Sequence, residues 1–184
     1  MKKILKIVNY LRFCLIAPGV DWNNKKIIMD INRWKEVNSL SGNMKESLIT
    51  LLSQYKEFRS LFLYRNSQRF IYRKLIRIVY PPLNSLYLKA KEIGGGLYIL
   101  HGFSTIISAE HIGENCWISQ QITVGYNGHD GSPFIGDNVM IACGAKVLGN
   151  INIGNNVTIG ANAVVLKDVE DDCVMAGVPA KKIR

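Results

Sequence analysis

The sequence predicts a mainly β fold, a parallel β-helix of hexapeptide repeats preceded by an α-helical region. Three observations lead to this prediction. An aliphatic residue recurs every six positions, turn-forming residues follow it at a fixed offset, and the first half of the chain is basic and helix-like. Within the 184 residues, we assign residues 1–82 to the basic helical region and residues 83–184 to the β-helix.

The six-residue repeat is clearest in the last third of the chain. Branched aliphatic residues stand at Ile135, Ile141, Val147, Ile153, Ile159 and Val165. Three positions after each comes Gly, Asn or Asp, the residues that best tolerate positive φ. These are Asn138, Gly144, Asn150, Asn156, Asn162 and Asp168. The period is not that of a helix, so each unit predicts a short strand and a turn, and three units close one coil.

The repeat continues upstream with one interruption. The inward position recurs at Ile106, Ile112, Ile118 and Val124. Between Val124 and Ile135 the spacing is eleven residues instead of six, and the excess lies within the stretch GYNGHDGSP at residues 125–133. We expect an inserted loop at one corner of the coil, and a loop that breaks a regular solenoid is a candidate functional element.

The first half of the chain is predicted to be mainly helical. An N-cap at Ser41 or Asn43, supported by Glu46, begins a helical stretch that Pro81 and Pro82 end. The N-terminal segment MKKILKIVNYLRFCLIAPG has the positive start of a signal peptide, but polar residues interrupt its apolar run. We therefore expect neither export nor a membrane span.

Charge is distributed unevenly between the two halves. Residues 1–92 hold 18 Lys and Arg against 6 Asp and Glu, whereas residues 93–184 hold 5 against 8. Arginines spaced four apart lie on one predicted helical face, at Arg65, Arg69, Arg73 and Arg77. Two interpretations stay open: contact with an anionic membrane, or a helix packed on the β-helix or on a neighbouring subunit with its arginines in water. We expect no nucleic-acid partner, because no nucleic-acid-binding signature accompanies these residues.

Cysteine usage indicates the compartment. The four cysteines are Cys14, Cys116, Cys143 and Cys173. They show neither close metal-ligand spacing nor a disulfide framework, and Cys116 takes an inward position where we expect a buried thiol. The sequence therefore predicts a cytoplasmic protein, with contact at the inner face of the cell membrane left open.

A family resemblance rests on two stretches, EIGGGLYILHGFSTIISAEHIGENCWISQQITVG at residues 92–125 and VMAGVPAKKIR at residues 174–184. Over about residues 81–184 the chain resembles serine acetyltransferase-type hexapeptide acyltransferases. The resemblance implies a left-handed β-helix, a homotrimer or a dimer of trimers, and acetyl-CoA bound in a groove between adjacent β-helices.

The resemblance also implies that His101 is the catalytic base. A neutral imidazole can take the proton of an acceptor hydroxyl as that hydroxyl attacks the thioester. Glu110, with Glu92 as a further candidate, is expected to orient the imidazole. A zinc site of His101, His111 and His129 does not match the spacing of zinc-binding relatives, so we expect no metal.

Further site residues follow from the same resemblance. The acetyl-CoA groove is expected at Cys143 and Gly144 and at Gly160 and Ala161, where small residues let the pantetheine arm lie against the backbone. Two lysines of the C-terminal tail, Lys181 and Lys182, are expected to contact its phosphates. Tyr126 and His129 of the inserted loop are expected to touch the acceptor.

Departures from serine acetyltransferase decide the predicted acceptor. The charged residues that grip an amino acid there are replaced by Leu86, Leu100, Gly131 and Ser132, and a desolvated zwitterion needs charged or strongly hydrogen-bonding partners. We therefore expect O-acetylation of a sugar hydroxyl in surface-polysaccharide synthesis, as in the shorter colanic-acid type members. Two alternatives stay open: serine O-acetylation for cysteine synthesis, and a non-catalytic β-helix that acts as a binding module or scaffold.

Overall fold

The computed structural model describes residues 2–128 and 131–184 of the chain. It divides into two compact units, one ending at Leu83 and the other beginning at Asn84. The first unit is helical and the second is a β-helix, so the predicted fold class is confirmed.

Five α-helices form the first unit. They are α1 (Lys2–Ile16), α2 (Lys25–Val37), α3 (Met44–Gln54), α4 (Lys56–Arg65) and α5 (Phe70–Val79), with a 3₁₀ turn at Ala17–Gly19. Apolar side chains from these helices meet around Trp34, whose ring lies edge-on to that of Phe58 at 5.3 Å. Both side chains are buried, so the helices share one aromatic core.

Helix α3 begins at the predicted cap. The Asn43 side chain accepts a hydrogen bond from the Glu46 backbone N–H at 3.0 Å, and the Glu46 carboxylate accepts from the Asn43 N–H at 2.9 Å. This reciprocal pair satisfies two backbone donors that the first helical turn leaves open. Of the two predicted caps, Asn43 is therefore the one that the structure uses.

The predicted row of four arginines is wrong, because a turn separates the two helices on which they lie. Helix α4 ends at Arg65, and α5 begins at Phe70. Arg65 makes a bidentate pair with Asp30, with Nε 2.8 Å from Oδ2 and the two side chains 4% and 3% exposed. Arg69 donates to the carbonyl of Gly19 and lies over the ring of Tyr72. Spacing alone could not reveal the break between the helices.

Three parallel sheets form the faces of the β-helix. The first contains β1 (Leu86–Leu88), β4 (Thr105–Ile107), β7 (Thr123–Gly125), β10 (Lys146–Leu148) and β13 (Val164–Val165). The second contains β2 (Glu92–Ile93), β5 (His111–Ile112), β8 (Phe134–Ile135) and β11 (Asn152–Ile153). The third contains β3 (Tyr98–Ile99), β6 (Trp117–Ile118), β9 (Met140–Ile141), β12 (Thr158–Ile159), β14 (Val174–Ala176) and β15 (Lys181–Lys182). Strand β15 alone pairs antiparallel in this sheet, and the left-handed sense of the coil stays a prediction.

The repeat positions fill the axis of the coil as predicted. All six aliphatic residues of the clear repeat are buried, as are the small or apolar residues four positions after each. The predicted positive φ occurs at Asn138, Gly144, Asn156 and Asn162. At the Asn150 turn, positive φ falls on Gly149 instead, and Asp168 accepts a hydrogen bond from the Asn152 N–H at 2.8 Å.

The predicted register is wrong by one residue in the second coil. Ile106 is 44% exposed, whereas Ile107 is fully buried and pairs with the inward Val124. Ile99 and Ile107 are therefore eight residues apart instead of six. Two adjacent isoleucines fit either register equally well by sequence. The structure instead lengthens the corner before β4 by two residues, and His101 lies in that corner.

Candidate active site

His101 lies on the edge of the β-helix where the third sheet turns into the first. We call this edge the histidine edge, and it consists of the turns at residues 100–104, 119–122, 142–145 and 160–163. The side chain of His101 is exposed, and its backbone has φ of 61°, a left-handed conformation that is uncommon outside glycine. Gly102 and Ser104 also have positive φ, so the lengthened corner projects His101 outward on a constrained turn.

The predicted acetyl-CoA residues lie on the same edge. The turns stack through backbone hydrogen bonds, with the Gly144 N–H donating to Gln120 at 3.0 Å and the Asn162 N–H to Cys143 at 2.9 Å. Neighbouring coils are about 4.8 Å apart, so Cys143 lies about 10 Å along the edge from His101. The structure thus brings together one imidazole and two turns of small residues on a single line.

Close packing explains the small residues on this edge. A Cβ on Gly144, which has φ of 75°, would collide with the Asn162 side chain. A Cβ on Gly160 would approach the Met175 carbonyl at 3.2 Å. Cys143 is half-buried and Ala161 is exposed, so this part of the edge offers backbone and short side chains to a ligand.

Gln120 is a candidate that sequence reasoning missed. It lies one coil from His101, and its side-chain oxygen is buried without a hydrogen-bond partner among the described residues. A buried amide oxygen without a partner is costly, unless a ligand supplies one. No motif marks Gln120 in the sequence; its position on the histidine edge is the signal.

Glu110 lies on a different edge from His101, where the first sheet turns into the second. This loop edge consists of residues 89–91, 108–110, 126–128, 131–133 and 149–151. Glu110 Oε2 is 2.6 Å from Lys91 Nζ, and Ser132 Oγ donates to Glu110 Oε1 at 3.3 Å. The hydrogen bond from Lys91 lowers the pKa of Glu110, and the same bond raises the pKa of Lys91. Within one chain, the structure therefore does not bring Glu110 to His101 as predicted.

The other predicted site residues are dispersed. Tyr126 is exposed on the loop edge, and His129 lies outside the described residues. His111 stacks on Phe134 in the second sheet, away from the histidine edge. None of the described residues form a group of three or more His, Cys, Asp or Glu side chains placed to hold a metal.

The two tail lysines lie on β15, beside the last coil. Lys181 is exposed opposite Ala176, next to the Gly160 turn. Lys182 Nζ is 3.4 Å from Glu170, and its pKa is raised by Cys173 first and by Glu170. Of the two, Lys181 therefore lies nearer to the histidine edge with its charge available.

A shallow depression of about 450 Å³ adjoins the His101 corner on the first sheet. It is lined by Asn84, Ser85, Tyr87, Ser104 and Ile106. Because hydroxyl and amide groups lie at its rim, a small polar acceptor could lie in this depression within one chain.

Known proteins resemble this chain in both sequence and fold. Residues 132–167 match the family described as bacterial transferase hexapeptide (six repeats). Serine acetyltransferase of Synechococcus elongatus is 44% identical over 96 residues, which cover 50% of this chain and 39% of that protein. The crystal structure of Neisseria gonorrhoeae serine acetyltransferase in complex with serine has a TM-score of 0.61 at 28% identity and covers 87% of this chain and 68% of that one. A serine acetyltransferase in complex with CoA has a TM-score of 0.60 at 25% identity, covering 91% and 74%.

The β-helical unit has the architecture and, over residues 132–167, the repeats of the class described as bacterial transferase hexapeptide. Within that class, the chain is serine acetyltransferase-like. The sequence match spans less than half the length of the Synechococcus relative. The similar proteins are acetyltransferases, which supports the predicted class of enzyme.

The predicted saccharide acceptor and polysaccharide pathway are wrong, because the similar proteins and solved structures are serine acetyltransferases. The prediction treated uncharged residues at four positions as the loss of every amino-acid contact. It did not consider charges elsewhere, and the structure has an ion pair of Lys91 and Glu110 beside Ser132 on the loop edge.

Proposed function

We propose that this chain is an acetyl-CoA-dependent serine O-acetyltransferase. The observation that carries the proposal is the alignment of an exposed His101 with small-residue turns on one edge of a serine acetyltransferase-like β-helix. A general base beside an extended groove is what acyl transfer from a thioester to a hydroxyl requires.

His101 acts as the general base in this proposal. Its neutral imidazole accepts the proton of the serine hydroxyl while the hydroxyl oxygen attacks the thioester carbonyl carbon. A new C–O bond forms, the C–S bond breaks, and the CoA thiolate leaves. The imidazolium then returns the proton to the thiolate, so the products are O-acetylserine and CoA, and His101 is regenerated.

Acetyl-CoA lies along the histidine edge, with its thioester near His101. Gly144 and Gly160 leave room for the pantetheine arm, and the unpartnered oxygen of Gln120 accepts a hydrogen bond from one of its amide N–H groups. Lys181, at the far end of the edge, attracts the phosphates as a point charge.

Serine is held by the loop edge of a neighbouring subunit in a trimer. Lys91 pairs with its carboxylate and Glu110 with its ammonium group, so the two side chains exchange their mutual ion pair for two pairs with the substrate. In this arrangement Lys91 and Glu110 supply the charged contacts to serine. Charged residues at the four uncharged positions, Leu86, Leu100, Gly131 and Ser132, are then not needed. It also explains why Glu110 and His101 occupy different edges of one chain.

Mixing two inactive variants tests this arrangement. His101→Ala and the double variant Lys91→Gln/Glu110→Gln are expected to release little thiol from acetyl-CoA with L-serine. In a mixed trimer, one site in each ring combines an intact His101 with an intact loop edge, so equal co-expression should restore about a quarter of the wild-type rate. Lys167→Gln changes an exposed lysine at the far end of the same edge, four coils from Lys91, and this matched control should keep full activity.

Each outcome has a distinct meaning. Wild-type protein that releases no thiol with L-serine would overturn the proposed function. If the wild type is active with L-serine but mixed trimers stay inactive, the acceptor lies within one chain, at the depression beside Ser104.

Labelling of the cysteines tests the position of acetyl-CoA independently. Cys14 is exposed and Cys143 is partly exposed, whereas burial raises the pKa of Cys116 to about 12 and makes it unreactive. CoA should slow alkylation of Cys143 and leave that of Cys14 unchanged. Equal rates at Cys143 with and without CoA would remove it from the groove.

A further inference from the structure

Helix α1 turns an apolar stripe toward solvent. Ile4, Val8, Leu11 and Leu15, spaced as one face of a helix, are all exposed, while Phe13 on the opposite face is buried. The helix thus uses one side for the core of its unit and leaves the other side apolar and uncovered. Single exposed apolar residues are ordinary, but a continuous stripe marks an interaction surface.

Helix α5 presents a second stripe next to the first. Ile71, Leu75 and Ile78 are exposed, with Ile71 83% accessible. The two helices are in direct contact: the Arg12 guanidinium donates to the carbonyl of Val79, and the Tyr72 hydroxyl donates to that of Ile16 at 2.9 Å. We call the two stripes together the α1–α5 face.

The charge on these helices has one sign. Helix α1 carries Lys6 and Arg12, and α5 carries Arg73, Lys74 and Arg77. Neither helix contains Asp or Glu. Among the described residues, no helix is long and apolar enough to cross a bilayer. A helix with an apolar face and basic residues on its polar side is typical of helices that lie in a membrane interface.

We propose that the α1–α5 face docks on an anionic lipid surface, with both helices lying in the plane of the membrane. Charge decides between this occupant and a second copy of the chain. Two copies meeting through a two-fold axis would bring two sets of these five basic residues close together without an acid on either helix, which costs energy. Anionic headgroups complement the same residues and leave the apolar stripes to contact the acyl chains.

Co-sedimentation of the full chain with vesicles tests the proposal. Wild-type protein should bind vesicles of phosphatidylcholine that contain roughly 30% anionic phosphatidylglycerol. It should bind vesicles of phosphatidylcholine alone only weakly. Binding to the anionic vesicles should fall as the salt concentration rises. Arg73→Gln, Lys74→Gln and Arg77→Gln together should weaken it by about 100-fold, since each basic residue near the surface contributes about fivefold. Leu11→Gln with Ile71→Gln should weaken it by at least about 10-fold.

The control variant replaces three exposed lysines that lie off this face, Lys25, Lys56 and Lys167. This control should weaken binding far less than the α5 variant does. Equal loss in the control and the α5 variant would overturn the proposal. So would equal binding to neutral and anionic vesicles. A smaller assembly of the Leu11/Ile71 variant in sedimentation without lipid would show instead that the face joins two copies. Circular dichroism checks that every variant is folded. None of these binding measurements depends on acetyl transfer.

Discussion

The β-helical unit and the helical unit place their apolar residues in opposite ways. In the β-helix, the repeat directs one aliphatic side chain per strand to the axis, and those of the clear repeat are all buried. In the helical unit, α1 and α5 carry more apolar surface than their core uses, and the excess is exposed. A repeat therefore dictates which residues form the core. A helix with apolar residues on two sides instead packs one side into the core and leaves the other side exposed.

The largest expected effect concerns the β-helical unit. Changing His101→Ala should lower the rate of acetyl transfer by about 10²–10⁴-fold, the usual contribution of a general base. His111→Ala is the matched control, because His111 lies in the second sheet and stacks on Phe134. Thiol release measures both. Similar rates for the two variants would mean that the β-helical unit does not use His101.

The buried ion pair of the helical unit gives the next effect. Arg65→Met removes the guanidinium that balances the buried Asp30 carboxylate and should destabilise the protein by about 3–5 kcal/mol. The double variant Asp30→Leu/Arg65→Met should recover most of that loss, because it removes both charges. Urea unfolding followed by tryptophan fluorescence distinguishes the two. A double variant as unstable as the single one would contradict this account.

Two isoleucines test the contrast between the units directly. Ile141→Ala deletes buried volume from the axis of the β-helix and should cost about 2–5 kcal/mol of unfolding free energy. Ile78→Ala removes the same atoms from the exposed stripe of α5 and should change stability by less than about 0.5 kcal/mol in the absence of lipid. A comparable cost at Ile78 would show that another surface covers the stripe.

The smallest effect refines the helical unit. Asn43→Ala removes one half of the capping pair with Glu46 and should cost about 1 kcal/mol. Asn43→Asp keeps an acceptor at the same place and should remain close to wild type. Thermal unfolding followed by far-UV circular dichroism resolves the difference. Equal melting temperatures for the two variants would mean that the cap does not limit stability.

Sequence alone predicted the features that a periodic pattern encodes. The axial residues, most turn conformations and the Asn43 cap follow from spacing and from residue type. The register at Ile106 and Ile107 did not follow, because both residues are β-branched and the turn that decides between them is irregular. The arginine row failed for a similar reason, since a short break between α4 and α5 changes every later position on the helical wheel.

Only part of the arrangement of the candidate site follows from the sequence. His101, Cys143 and Gly160 share one edge because successive coils stack, which the spacing of the repeat implies. Glu110 was assigned to His101 because it is near in sequence, although five to six residues along a coil lead to a different sheet. Gln120 and Lys91 carry no motif, and the features that mark them, a buried oxygen without a partner among the described residues and an ion pair with Glu110, exist only in the folded chain.

The stacking of coils makes each corner an independent site for variation. The corner at His101 is two residues longer than its neighbours, yet Ile112 and Ile118 return to the axis in the next two sheets. Lengthening a closed loop has a small entropic cost, and the strands on either side remain paired with the coils above and below. A β-helix of this kind can therefore gain or lose corner loops over evolutionary time without repacking its core. New specificity can arise by insertion at one corner while the corner that carries His101 stays fixed.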